Sequence, residues 1–180
     1  LLLIFLPSLF SQLRIEIRGG LENPISIAVV PLRWNLDSRQ ELFIHQIIKA
    51  DLESFGEFDV IPPENMLSLP TKKEEVFYKD WRLLGTDYLV IGDINKSVTE
   101  SDIEVSFLIF DVIRERIVHK GTVLGPIDSI RRVGHKVSDV IYEKVQGMPG
   151  IFSTQIAYID KPSKFCLLYT SDAADEWRSG

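Results

Sequence analysis

The chain has 180 residues, a net charge of −6, 45% hydrophobic residues and one cysteine. This length suits one domain with a sizeable core. The acidic balance argues against a nucleic-acid surface, and a lone cysteine rules out a disulfide framework.

Residues 1–11, LLLIFLPSLFS, form an apolar run broken at Pro7 and polar by Ser8 and Ser11. A membrane span needs roughly 20 apolar residues. The run therefore reads as the remnant of a secretory signal peptide, with Gln12 as the first mature residue. Export places the protein away from ATP and most cytosolic chemistry. At the other end, residues 166–180 read CLLYTSDAADEWRSG. Residues 166–171 back-translate to TGT CTC TTA TAC ACA TCT, the transposase end of common sequencing adapters, so 166–180 reads as translated adapter. Without it Cys166 and Trp177 disappear and the remainder is still acidic.

Between these ends, residues 13–17, LRIEI, alternate apolar and charged as a half-buried strand does, and Gly19-Gly20 ends them. Residues 25–32, ISIAVVPL, form a continuous apolar run that predicts a strand covered on both faces. Residues 34–37 make a turn, and Asp37 with Gln40 predicts a helix N-cap. Ile44, Ile47, Ile48, Leu52 and Phe55 line one side of that helix, and Gly56 stops it. Residues 58–61 are a short strand closed by Pro62-Pro63. Thr71 with Glu74 predicts a capping box for a second helix with Phe77, Trp81 and Leu84 inward and Gly85 at its end. Residues 88–91 are a second buried strand. Residues 103–110 and 117–123 form a hairpin around a turn at 111–116. A third helix starts at Pro126 and Asp128, carries Ile130, Val133, Val137, Val140, Ile141 and Val145 at helical spacing, and ends at Gly147 and Gly150. Residues 155–159, QIAYI, are a last strand. The fold class is α/β, with a mixed β-sheet of about five to six strands flanked by three helices. The division is signal remnant 1–11, α/β domain 12–150, a further strand segment 151–165 and adapter 166–180.

Chemistry-bearing motifs are few. No GxGxxG, GxxxxGK[ST], GxSxG or HExxH is present. His45, His119 and His135 lack a second ligand type at i+3 or i+4. His45 reads as a rim residue, and His119 and His135 as solvent-facing. Glu74-Glu75 are adjacent on a helix and cannot converge on one substrate; helix-start charge explains them. Asp93, at the carboxyl end of a buried strand, is the one acid in a ligand-binding position, although a strand-end turn role is the simpler account. Asn95-Lys96-Ser97 matches a glycosylation sequon, a pattern common by chance. No catalytic residue, cofactor site or metal site is expected.

The ordered set LRIEIRGG, PISIAVVPLRW, KADLESFGEFDVI, WRLLGTDYLVIGDI and RRVGHKVSDVIYEKVQGMPGIFSTQIAYID resembles the amino-terminal domain of the TolB family. The resemblance covers about residues 12–162. It implies a non-enzymatic periplasmic adaptor of the Tol-Pal system, coupling a TolA-like inner-membrane protein to a Pal-like outer-membrane lipoprotein in envelope integrity and cell division. It also implies that QIAYI leads into a β-propeller missing here, to which the Pal-binding face belongs. The TolA-type contact would fall on Gln12, Leu13, Arg14, Ile15, Glu16, Ile17, Arg18, Gly19, Gly20, Leu21 and Glu22. The pattern of LRIEI agrees, because a terminal strand held by one edge can detach and pair with a partner sheet. One rival is an exported domain of an outer-membrane lipoprotein assembly factor, but residues 8–13, SLFSQL, lack the lipobox cysteine. The other is a small-ligand-binding domain, for which the phosphate-binding glycine loop is absent.

Overall fold

The computed structural model describes residues 23–37, 43–99, 101–160 and 167–171, with 156–160 and 167–171 described by backbone alone. Strand β1 (Ile25–Val29) lies between β3 (Phe58–Ile61) and β4 (Tyr88–Lys96), parallel to both. β5 (Asp102–Asp111) runs antiparallel to β4, and β6 (Arg116–Pro126) returns antiparallel to β5. A two-residue strand, β2 (Arg33–Trp34), continues along β4 beyond β1. The six-stranded mixed sheet thus has the order β3-β1-β4-β5-β6, with β2 beside β4. Three helices flank it: α1 (Ile44–Ser54), α2 (Tyr78–Leu83) and α3 (Ile130–Gln146).

Two apolar clusters explain why the central strands carry no polar face. Val90 and Ile94 of β4 with Ile103, Val105, Phe107 and Ile109 of β5 face α1 and α3. Leu89 and Ile91 point the other way, with Ala28, Val30, Phe110 and Val112, toward Val76 and Trp81. Strand side chains alternate faces, so a strand buried on both sides must be apolar at every position. β5 and β6 meet this condition only in part, and their alternation follows.

Glycine sets the spacing at the α3 face. Phe107 lies opposite Gly92 on β4 and Gly121 on β6. A Cβ at Gly92 would strike the Ser106 carbonyl, and one at Gly121 the Phe107 ring. Gly125 similarly leaves room for Val133 of α3. The buried Phe107 ring therefore takes the space that a side chain at 121 would fill, while Gly92 lets the β5 backbone come close.

Several expectations are corrected. The 25–32 run is not one strand: Pro31 has no N–H to give the ladder, and the strand resumes only at Arg33. α1 begins at Ile44, after an extended Phe43 and without a side-chain cap, so Asp37 does not cap it. Gln40 lies outside the described residues. Phe55 follows the end of α1 and is 41% exposed. The second helix is broken in two. A 3₁₀ turn (Lys73–Glu75) comes first, then Val76 and Phe77 are extended, then α2. Glu75, not Glu74, closes the cap: its Oε2 accepts the N–H groups of Thr71 (2.7 Å) and Lys72 (3.3 Å). Val76 is buried by this break and Phe77 turns outward, 65% exposed. α3 is preceded by a 3₁₀ turn (Ile127–Ser129) and closes on Gly147, whose φ of 78° favours glycine. Gly150 lies beyond the helix end, packed against Asp139. The last predicted strand is β7 (Ile156–Asp160), paired antiparallel with β8 (Leu167–Ser171) in a separate two-stranded sheet. The predicted strand at 13–17 and the signal remnant lie outside the described residues.

Candidate partner-binding surface

The predicted contact residues, 12–22, lie outside the described residues, so the surface is built from the point at which the chain enters the sheet. The N–H of Ile25 donates to the Glu57 carbonyl at 2.9 Å. The N–H of Ser26 donates to Asp87 Oδ2 at 3.0 Å, and the N–H of Asp87 returns a bond to the Ser26 carbonyl at 2.9 Å. Glu57 is itself fixed: its carboxylate accepts the Tyr142 hydroxyl at 2.6 Å and the Gln146 side-chain amide at 3.2 Å. The bond to Glu57, and then burial, hold the Tyr142 phenol above its usual pKa. Three elements, β3, β4 and α3, thus anchor the start of β1. The start of β1 is a fixed point.

Beside this anchor is a cavity of about 370 Å³ lined by Ile25, Asp87, Tyr88, Asp111, Ile113 and Arg114. Asp111 is 2% exposed and accepts the Arg114 N–H (2.8 Å) and guanidinium (2.8 Å). Burial pushes its carboxyl pKa up, but the hydrogen bonds and charges of Arg114, with Arg116, outweigh that and hold it low. A larger groove, about 510 Å³, crosses the sheet face away from α3 between Thr71, Lys73, Asp93, Asn95, Ser106 and Lys120.

Among the described residues, β3 and β6 each pair with one strand only. An open edge can accept another strand. β3 offers four residues before Pro62. β6 offers eleven, with Arg116 and Lys120 exposed along it, and charges of this kind discourage unselective edge pairing.

The individually predicted residues fall apart from one another. Asp93 is not at a strand end, because β4 continues to Lys96 beside β2; its Oδ1 is 2.8 Å from Arg33 Nε, a cross-strand ion pair. His135 does not face solvent. It is 5% exposed, and its Nδ1 is 2.9 Å from Asp51 Oδ2, joining α3 to α1. His119 is half-buried against the Phe107 ring, not solvent-facing. His45 is half-buried at the start of α1, with its pKa lowered by burial, as a rim histidine would be. Asn95, of the sequon, accepts the Asn35 side-chain amide at 2.8 Å. Glu57, Asp51 and Asp139 bear the structural bonds that sequence reading passed over; as isolated acids among 26 they gave no pattern to find. Among the described residues no three metal-ligating side chains gather, and no helix is long and apolar enough to cross a membrane.

Comparison with known proteins agrees with this architecture. The family model of the TolB amino-terminal domain matches residues 13–118. The chain is 40% identical over 177 residues to a Tol-Pal system protein TolB of Marinomonas sp., covering 95% of this chain and 40% of that protein. It is 36% identical over 149 residues to the TolB of Alcanivorax borkumensis, covering 83% of this chain and 34% of that one. The crystal structure of TolB from Acinetobacter baumannii superposes with a TM-score of 0.69 at 28% identity, covering 89% of this chain and 39% of that chain. The chain therefore spans about two fifths or less of the length of the relatives it matches. With the family model matched over more than half its length and the sheet order and helices in place, this chain belongs to the TolB amino-terminal domain family.

Proposed function

We propose that the protein is a non-enzymatic periplasmic adaptor of the Tol-Pal envelope system, exported through a cleaved signal peptide. In this reading it links a TolA-like inner-membrane protein to a Pal-like outer-membrane lipoprotein and so serves outer-membrane integrity and cell division. The match of residues 13–118 to the TolB amino-terminal domain carries the proposal, supported by relatives named as Tol-Pal system proteins. Residues Gln12 to Glu22 are the proposed TolA-type contact. Their alternating 13–17 stretch suits strand pairing with a partner sheet, and the anchored start of β1 supplies a rigid base for it. The Pal-type contact is assigned to sequence beyond this chain.

The test is co-precipitation of a TolA periplasmic domain by the chain with and without residues 12–22. Deletion should reduce capture at least tenfold while the melting temperature of the α/β domain stays within a few degrees. Equal capture by both forms would remove the contact assignment.

A further inference from the structure

The segment after α3 is held far more tightly than a linker needs. Gly147 ends the helix with its N–H on the Glu143 carbonyl at 2.9 Å. Three residues on, Gly150 presses so closely on Asp139 that any Cβ would run into the Asp139 Cα. The Asp139 carboxylate then accepts two successive backbone N–H groups, Phe152 at 2.7 Å through Oδ1 and Ser153 at 3.1 Å through Oδ2. The Phe152 ring lies 5.3 Å from Phe55 and 5.7 Å from Tyr142, whose hydroxyl is already tied to Glu57. Thr154 closes the turn by donating its N–H to the Ile151 carbonyl at 3.1 Å. Beyond it, Gln155 is exposed, and among the described residues no side chain of the domain holds its backbone as Asp139 holds those of Phe152 and Ser153.

We infer that Asp139 is a latch that locks residues 147–154 onto α3, so that this exit turn moves with the α/β domain as one rigid piece and the first pivot of the chain lies at Gln155. A carboxylate is well suited to the task. Bonds from backbone N–H to a carboxylate are about twice as strong as those to a neutral acceptor. The attachments fall at four residues, Gly147, Gly150, Phe152 and Ser153, so the turn cannot rotate about any single bond without breaking another. Asp139 is a positioning residue. It sets the direction in which the chain leaves the domain, and with it the placement of whatever follows β7. A flexible linker would leave that direction open.

Amide hydrogen exchange on the whole chain tests this. In Asp139→Ala the amides of Phe152 and Ser153 should exchange at least tenfold faster, while those of Val90 and Ile109 in the sheet keep their parent rates. Asp139→Asn, which retains one acceptor oxygen, should fall between. Gly150→Ala, whose Cβ would strike both the Cα and the Oδ1 of Asp139, should push the turn off α3 and expose the same two amides. Rates at Phe152 and Ser153 within twofold of the parent would overturn the latch, as would equal acceleration in the sheet. The unsubstituted chain gives an independent measurement should the variants fail to fold. Backbone order parameters should remain near about 0.85 through Ser153 and dip at Gln155, whereas values below about 0.6 at Phe152 would overturn the inference.

Discussion

Asp111 shows how one side chain can hold a turn. Its carboxylate is 3% exposed, while the guanidinium of Arg114 that it binds is 66% exposed. An exposed cation in water contributes little, so the buried bond from the Arg114 N–H dominates. The folded-state pKa is depressed, chiefly by Arg114 against the opposing effect of burial. A depressed carboxyl stabilises the fold above its unfolded pKa and loses that contribution as pH falls through the folded value. Asp111→Asn should therefore cost about 1–2 kcal/mol at pH 7. It should also flatten the loss of stability on acidification below roughly pH 4. Urea titrations of both proteins at several pH values check this; an unchanged acid limb would assign the acid sensitivity to other carboxylates.

At the level of elements, the break in the second helix is the most informative departure. A single helix from Thr71 would place Phe77 and Trp81 on one face, four residues apart. The chain instead extends at Val76 and Phe77, because burying the β-branched Val76 against the sheet face satisfies the second cluster better than continuing the helix. Trp81 is then 1% exposed and Phe77 65% exposed. The two aromatics should respond very differently. Trp81→Ala should destabilise by about 3–5 kcal/mol, as large-to-small changes in a core do. Phe77→Ala should stay within about 0.5 kcal/mol of the parent. Denaturation midpoints at constant m-value decide it, and similar losses for both would restore the uninterrupted helix.

Across the whole molecule, protection is unequal. β4 and β5 lie inside the sheet, each paired along both edges, whereas β3 and β6 have an open edge among the described residues. Opening free energies rise toward the elements with the most buried contacts. The slowest amides should belong to residues 89–94 and 105–110. Those of β6 that do not bond to β5 should exchange faster by at least two orders of magnitude. Slow exchange along the whole of β6 would mean that its outer edge is paired in solution.

Much of this fold was legible in local chemistry. Runs without charged residues at 25–29 and 88–91, helical spacing from Val133 to Ile141, and Gly56 and Gly147 at helix ends each depend on backbone preference and face burial, which act within a few residues. The family resemblance was legible for the same reason, in an ordered set of local segments. Other features depend on residues far apart in sequence. The Asp51–His135 bond spans 84 positions, the Tyr142–Glu57 bond 85, and the Arg33–Asp93 pair forms only because β2 resumes beside β4. A lone Asp or His carries no periodicity, so its partner is decided when strands and helices assemble. The sequence by itself determined the element types, the two-sided burial of the central strands and the family. Tertiary structure decided which polar side chains are buried together, where the second helix breaks and how the chain is held as it leaves α3, because each of these depends on contacts between segments that local preference does not encode.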